Sequence, residues 1–251
     1  MKKIENIFYG DISPETQLLD IYLPEAEHFP VYLHIHGGGI ESRDKSDVEF
    51  LVQYLTDRGV AVVGIDYRMY PSASYPEFIH DAARAVAWTV KNIEQYGICE
   101  GVYVGGSSAG GYLSMMLCFD KQWLAPYGID PADLAGYVHN AGQPTAHFNV
   151  LRERGIDSRR VIIDETAPIY HIGTAKEYAP MLFLVSDNDM ENRYEQTMLT
   201  ISTLRHFRYD MSKVHLEVLH GIHCEHDFVN DENGDNVLAT LIYKFIKNTR
   251  Q

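Results

Sequence analysis

The sequence predicts an α/β protein with a mostly parallel central sheet and helices on both faces. Three observations predict this class. Short apolar runs alternate along the chain with segments of helical period. The run at residues 60–65, VAVVGI, is apolar without alternation, which is typical of a strand buried on both faces. The 251 residues, 45% hydrophobic and 22% charged, are enough for a sizeable core in one domain spanning residues 1–251.

The strands are predicted from apolar runs bounded by turn residues. They cover residues 16–23, 31–35, 60–65, 102–104, 136–140, 181–185 and 214–219. The first two have no helix between them, so we expect them to form an antiparallel edge of the sheet.

The helices are predicted from apolar side chains that recur with a period of about 3.6 residues. They cover residues 48–58, 78–93, 109–118, 191–206 and 235–247. Gly59 and Gly97 follow the first two, at the position where glycine commonly ends a helix. Residues 119–179 are less regular, and we expect a small insertion near the functional site there rather than a second domain.

Charge and cysteine content restrict the partners and the compartment. The chain has 21 basic and 35 acidic residues, a net charge of −14. Such a surface repels phosphate groups, so we expect no nucleic acid and no membrane among its partners. The three cysteines form no disulfide framework and no secretory signal is visible, so we expect a cytoplasmic location. The sequence leaves the oligomeric state open, a homo-oligomer included.

The segment GSSAG at residues 106–110 fits the pattern G-x-S-x-G between a predicted strand and a predicted helix. Such a turn presents a serine, and the next N–H points at negative charge developing on a substrate. We identify Ser108 as the nucleophile and Ala109 as an oxyanion donor. Ser107 is the alternative nucleophile, through the overlapping pattern one residue earlier. A strand-to-helix loop without chemistry is the third interpretation.

The segment HGGG at residues 36–39 directly follows a predicted buried strand. Three consecutive glycines lose much conformational freedom on folding, which indicates backbone that must approach another group closely. We therefore assign Gly38 and Gly39 as oxyanion donors with Ala109. His36 is interpreted as an organiser of this loop that also lies at the substrate pocket.

A serine nucleophile needs a base and a group that orients the base. In this arrangement the chain order is Ser, Asp or Glu, then His. The strand at 181–185 is followed by SDND, so Asp187 and Asp189 are the candidate acids, and Asp189 is preferred. Asp187 is more simply a turn or capping residue.

The candidate base follows the strand at 214–219, in the segment HGIHCEH. His220, His223 and His226 compete, and His223 is preferred because the preceding glycine turn presents it back over the sheet. With Cys224 these histidines also have the chemistry of a metal site. No second ligand group with matching spacing exists in the sequence, so we expect no metal.

The substrate pocket is the least defined part of the sequence-based site. We assign His36, Ser107, Gln143 and Phe148 to it. The last two belong to the irregular region, where they either line the pocket or pack the insertion.

Several segments together resemble the α/β-hydrolase superfamily, and within it the hormone-sensitive-lipase-like esterases and their short bacterial relatives. They are HGGG at 36–39, DYR at 66–68, GSSAGG at 106–111, SDND at 186–189 and GIH at 221–223. The resemblance spans roughly residues 30–250. It implies an eight-stranded α/β-hydrolase sheet and a cofactor-free carboxylesterase mechanism. Ser108 would attack, His223 would carry the proton and Asp189 would orient the imidazole.

The chain departs from that pattern in two places. Ser107 stands where the family has an acidic residue before the nucleophile, and the large N-terminal cap is nearly absent because the glycine segment begins at residue 36. A small cap implies an open, shallow site, which favours small acyl groups.

The leading hypothesis is therefore a serine carboxylesterase that hydrolyses short-chain acyl esters, acetyl esters of carbohydrates included. An amidase such as an arylformamidase is the alternative, since it shares both glycine motifs. An oligopeptidase is less favoured because the sequence shows no propeller domain. A non-catalytic ligand-binding protein on the same fold is the hypothesis from another class.

Overall fold

A computed structural model describes residues 1–250 of the chain. Its strands are β1 (Lys2–Phe8), β2 (Leu18–Leu23), β3 (His28–Ile35), β4 (Ala61–Ile65), β5 (Ile98–Ser107), β6 (Gly136–Asn140), β7 (Met181–Ser186) and β8 (Val214–Leu219). Its helices are α1 (Glu49–Thr56), α2 (Glu77–Asn92), α3 (Ala109–Phe119), α4 (Phe148–Glu153), α5 (Arg193–His206) and α6 (Val237–Thr249).

The eight strands form one sheet in the order β1-β2-β4-β3-β5-β6-β7-β8. β2 runs antiparallel to both β1 and β4, and the pairs from β4–β3 to β7–β8 are parallel. The predicted α/β-hydrolase class, with about eight mostly parallel strands, is confirmed.

The predicted pairing at the edge is wrong in one respect. β2 does not pair with β3, because β4 returns after α1 and lies between them. The antiparallel edge consists instead of β2 and β1. The sequence prediction missed β1 because its segment, KKIENIF, is polar and mostly exposed, so no apolar run announces it.

Helices cover both faces of the sheet. α2, α3 and α5 contribute to the larger core cluster, whereas α1 and α6 pack on the opposite face. β3 shows the resulting two-sided burial, since Leu33 faces the first cluster and Tyr32 the second. This burial on both faces explains why the central strands are continuously apolar in sequence.

The candidate site lies at the carboxyl ends of the parallel strands, where open α/β sheets bind ligands. The glycine segment follows β3, the serine turn follows β5, Asp189 follows β7 and His223 follows β8. Between α3 and β7 the chain forms β6, α4 and short 3-10 turns, so the irregular region supplies one strand and one wall of the site. No helix within residues 1–250 is long and apolar enough to cross a lipid bilayer.

Candidate active site

The serine turn is strained at one residue. β5 ends at Ser107, α3 begins at Ala109, and Ser108 between them has φ 55° and ψ −112°. A positive φ is unfavourable for a residue with a Cβ, and such strain persists only where surrounding contacts impose it. One contact is a hydrogen bond of 2.8 Å from the Ser108 N–H to the Asn140 carbonyl at the end of β6.

Close packing of α3 against β3 supplies the other constraint. A Cβ on Gly110 would lie 1.8 Å from the Ile35 carbonyl oxygen, which no side chain tolerates. The glycine therefore allows the first turn of α3 to lie directly against the end of β3. The N–H of Ala109, in that first turn, has no partner within the helix and is available to an anion.

The structure brings Ser108, His223 and Asp189 into one chain of hydrogen bonds. His223 Nε2 lies 2.9 Å from Ser108 Oγ, and His223 Nδ1 lies 2.5 Å from Asp189 Oδ1. The N–H groups of Met190 and Ser186 donate to the same carboxylate at 2.7 and 3.3 Å. The carboxylate is thus fixed from two sides, and it fixes the imidazole.

These donors also set the charge of Asp189. Burial acts to raise the pKa of this carboxyl group, but the hydrogen bond and charge of His223 and the two backbone N–H groups hold the pKa below its usual value. Asp189 is therefore a carboxylate at neutral pH, able to accept a hydrogen bond from Nδ1–H and so to leave Nε2 as the basic nitrogen.

The alternative acid and bases lie elsewhere. Asp187 accepts hydrogen bonds from His220 Nδ1 at 2.8 Å and from the Gly221 N–H at 3.0 Å, on the surface, where the His220 side chain is 95% exposed. His226 is buried, with Nε2 2.6 Å from Asn140 Oδ1. Neither histidine contacts Ser108.

Ser107, the alternative nucleophile, belongs to a buried polar network beneath the turn. Its hydroxyl accepts a hydrogen bond of 2.8 Å from Asn140 Nδ2, which also donates to Asp227 Oδ1 at 2.7 Å. His226 completes the network through Asn140. Burial raises the pKa of Asp227 to about 6 and lowers the pKa of His226 to about 4.

Sequence reasoning missed Asn140 and Asp227. Asn140 is the last residue of β6, the strand next to β5, and a polar residue at the carboxyl end of such a strand was a usable signal. Asp227 had no such signal, because it follows the histidine segment in an irregular turn.

Side-chain donors hold the four successive carbonyls of residues 36–39. The Tyr67 hydroxyl donates to the first two at 3.0 and 3.2 Å, Ser42 Oγ to the third at 3.2 Å and Asn149 Nδ2 to the fourth at 2.5 Å. Because each peptide is planar, fixing its C=O also fixes the N–H on its other side. The loop therefore has a set direction for its N–H groups.

His36 supports this loop from below. Its ring stacks on Tyr67 with 4.3 Å between ring centres, and Nδ1 lies 3.0 Å from the Gly37 carbonyl oxygen. The residue is only 1% exposed and does not line the cleft. The assignment of His36 to the substrate pocket is thus corrected, because burial removes it from solvent, and its contacts match the loop-organising interpretation.

A cleft of about 510 Å³ opens in front of Ser108. The glycine segment forms one wall and His223 another, and Ser107 also reaches the lining. Apolar side chains surround the opening: Phe148, Met190, Ile222, Phe228 and Val229.

The two remaining pocket residues differ in position. Phe148 lines the cleft as expected, with its ring tip 3.3 Å from where a Cβ on Gly39 would stand. Gln143 lies behind it, in a neighbouring cavity, where its amide donates to the Ala146 carbonyl. Gln143 thus lies outside the serine cleft, and its assignment to the substrate pocket stays a prediction.

The histidine segment does not form a metal site in the part of the chain that the structure describes. Within residues 1–250 no three His, Cys, Asp or Glu side chains converge in an arrangement that could hold a metal ion. Cys224 instead lies beside the imidazole, with Sγ 3.7 Å from His223 Nε2, and burial raises the pKa of its thiol.

Curated relatives match about half of the chain. A kynurenine formamidase from Salmo salar is 30% identical over 128 residues, which are 50% of this chain and 41% of the relative. A hormone-sensitive lipase from Bos taurus is 33% identical over 142 residues, 55% of this chain and 18% of the lipase. The chain thus spans less than half the length of these relatives.

A solved structure matches the whole fold. Esterase B from Lactobacillus rhamnosis superposes with a TM-score of 0.79 at 17% identity, over 100% of this chain and 86% of the esterase. At that identity the similarity supports the fold, and it agrees with the α/β-hydrolase resemblance that the motifs predicted.

Two family models match the sequence itself. The BD-FAE model matches residues 19–125, which include the glycine segment and the serine turn. The prolyl oligopeptidase family model matches residues 77–251, which include the serine, both candidate acids and all three candidate histidines. The chain belongs to the prolyl oligopeptidase family of α/β-hydrolases.

Proposed function

We propose that this protein is a serine carboxylesterase that hydrolyses short-chain acyl esters through an acyl-enzyme intermediate. The observation that carries the proposal is the continuous contact from Ser108 Oγ through His223 to Asp189, open to a cleft walled by the glycine segment. Acyl transfer needs a nucleophile, a base, an orienting acid and donors for an oxyanion, and this site offers all four.

In the first half of the reaction, Ser108 Oγ forms a bond to the ester carbonyl carbon and its proton passes to His223 Nε2. The carbonyl electron pair moves onto oxygen, which the N–H groups of Gly38, Gly39 and Ala109 stabilise. The bond to the alcohol oxygen then breaks, and Nε2 returns the proton to that oxygen.

In the second half, water takes the place of the alcohol. Nε2 accepts a proton from the water as its oxygen attacks the acyl carbon, and the released proton returns to Ser108 Oγ as the carboxylic acid leaves. Asp189 keeps its negative charge throughout, holding Nδ1–H and stabilising the imidazolium that forms twice.

The small cap expected from the sequence and one contact at the cleft support the short-chain preference. Phe148 packs against the glycine segment at the wall of the cleft, with its ring tip 3.3 Å from where a Cβ on Gly39 would stand, and we expect it to limit the room for a long acyl chain. The apolar rim, which includes Ile222 and Phe228, offers contact to a larger alcohol part outside.

A panel of p-nitrophenyl esters from acetate to octanoate tests this proposal. We expect kcat/KM to be highest for acetate to butyrate and to fall with longer chains. Maximal kcat/KM on octanoate would reject the short-chain assignment, and absence of hydrolysis across the panel would reject the esterase. Acetylated saccharides in the same assay test whether the alcohol part is a carbohydrate.

An arylformamidase is the second candidate. It is favoured by the sequence similarity between half of this chain and the kynurenine formamidase from Salmo salar. An aryl formamide and a proline-containing peptide p-nitroanilide, measured beside the esters, separate the amidase and peptidase alternatives. We expect kcat/KM for both amides to be far below that for p-nitrophenyl acetate.

A further inference from the structure

A second cavity, of about 450 Å³, adjoins the serine cleft. Phe148 and Met190 line both spaces, so the two adjoin at these side chains. We call it the arginine cavity, because Arg159, Arg160 and Arg193 all line it.

Arg193 is the unusual member. It is 5% exposed, and burying a guanidinium without a countercharge is unfavourable. Its guanidinium donates hydrogen bonds to two neutral acceptors, the Ala141 carbonyl and Gln143 Oε1. Among residues 1–250 no carboxylate forms an ion pair with it. These bonds use two of its five N–H donors, and neither acceptor is charged.

The Asp189 carboxylate forms no ion pair with Arg193. Asp189 attracts the guanidinium, but its carboxylate is already bonded to His223. Burial dominates, and it lowers the pKa of Arg193 to about 10. The side chain remains charged at neutral pH, in a cavity that a ligand can enter.

The arginine cavity has other charged groups in its lining besides Arg193. Arg159 is paired with Asp157, whereas Arg160 forms no ion pair within the described part of the chain. Glu191 is the one acidic side chain in the lining, and it is exposed. The cavity also meets the first turn of α5, a 14-residue helix whose N-terminal end carries partial positive charge. A chain with a net charge of −14 has therefore concentrated positive charge beside its nucleophile.

We propose that the arginine cavity binds a carboxylate carried by the substrate, so that this protein prefers esters with an anionic group on the part that extends past Phe148. A guanidinium with unused donors matches a carboxylate in geometry as well as charge. The inference rests on the proposed esterase function and names its substrate class.

Two matched substrate pairs test the proposal. For the alcohol side, para-acetoxybenzoate is compared with para-acetoxybenzamide. For the acyl side, the monomethyl ester of glutaric acid is compared with the same ester bearing a terminal amide. In the first pair the amide is the more electron-withdrawing group, so intrinsic reactivity favours the control and cannot produce a preference for the carboxylate.

We expect kcat/KM to be about tenfold or more higher for the carboxylate in one of the two pairs, as for a charge-assisted hydrogen bond in a largely buried site. Equal values in both pairs, with the neutral esters hydrolysed, would overturn the cavity proposal alone. Absence of hydrolysis of every ester would overturn the esterase function instead.

Three arginine variants locate the effect. Arg193→Gln should abolish the carboxylate preference, and Arg160→Gln should reduce it about twofold to fivefold, as for an exposed charge. Arg152→Gln is the matched control, because it removes the same positive charge from a residue outside the arginine cavity. Arg152 lies over the Phe148 ring and does not line the cavity. We expect the preference to survive in Arg152→Gln. A preference unchanged in both Arg160→Gln and Arg193→Gln would contradict the proposal.

A binding measurement covers the case in which Arg193→Gln does not fold. Ser108→Ala, which cannot turn over, is titrated with para-acetoxybenzoate and with the benzamide by calorimetry. We expect tighter binding of the carboxylate, with the difference reduced about twofold to fivefold on adding Arg160→Gln and reduced at high salt. Equal affinity for the two compounds would overturn the proposal independently of any turnover.

Discussion

The serine cleft and the arginine cavity share a wall but differ in how their polar groups are satisfied. Around Ser108 the carbonyls of the glycine segment, the imidazole and the Asp189 carboxylate all have partners. In the arginine cavity, Arg193 is buried against neutral acceptors. Paired catalytic groups are preorganised for a reaction, whereas a buried guanidinium without a carboxylate partner is suited to receive an anionic ligand.

Removal of the nucleophile should produce the largest effect on the cleft. We expect Ser108→Ala to lower kcat on p-nitrophenyl acetate by about 10⁴-fold or more, because the acyl-enzyme cannot form. Steady-state kinetics measure the loss. Ser107→Ala is the control: its hydroxyl belongs to the buried network with Asn140 and Asp227 and has no contact with His223, so activity should remain within about tenfold. The reverse ranking would assign the nucleophile to Ser107.

Removal of the imidazole base should lower kcat by a similar factor. We expect His223→Ala to lower kcat by about 10³-fold or more, because Ser108 loses its proton acceptor. His220→Ala serves as the surface control, since that side chain contacts Asp187 and not the serine. If His223→Ala stays active and His226→Ala does not, the base is misassigned.

A smaller loss is expected from the glycine segment. Gly38 has φ +82°, and a Cβ there would lie 2.2 Å from the Ser42 carbonyl oxygen, so Gly38→Ala must shift the loop. Displacing an oxyanion donor costs about 10²- to 10³-fold in kcat. Gly128→Ala is matched for backbone strain, with φ +73°, but nothing lies within 4 Å of its added Cβ. Kinetics on folded protein should separate the two, and equal kcat values would exclude an oxyanion role for the loop.

The smallest effect is a change in stability beneath the cleft. Burial raises the pKa of Asp227 from 3.8 to about 6, so the folded state binds more protons than the unfolded state between these values. Stability therefore falls as pH rises through that window. Asp227→Asn removes this dependence, and its free energy of unfolding relative to the parent should increase by up to about 3 kcal/mol from below pH 4 to above pH 6. Urea unfolding of both proteins between pH 4 and pH 6 measures this difference in free energy of unfolding. A difference that does not change with pH would show that folding does not raise the pKa of Asp227.

The difference between the two regions also explains what the sequence could predict. The serine turn and glycine segment are local: each needs a glycine at a fixed offset from a strand, so residues 36–39 and 106–110 were readable without a structure. Asp189 and His223 were readable from strand ends, although neighbouring acidic and histidine residues competed for each role. The parallel core was readable because its strands are continuously apolar.

What could not be predicted depends on contacts between distant segments. Arg193 begins a helix like many other arginines, and only its burial against Ala141 and Gln143 makes it unusual. His36 looked accessible from its motif, yet Tyr67 covers it. β1 was missed because an exposed edge strand needs no apolar pattern.

Covalent labelling with an organophosphonate ester tests the central claim most directly, since it requires an activated serine and no knowledge of the natural substrate. Mass spectrometry of the digested protein should show one adduct, on Ser108, and His223→Ala should slow its formation by orders of magnitude. No adduct on Ser108, or an adduct formed equally fast without the imidazole, would contradict the account.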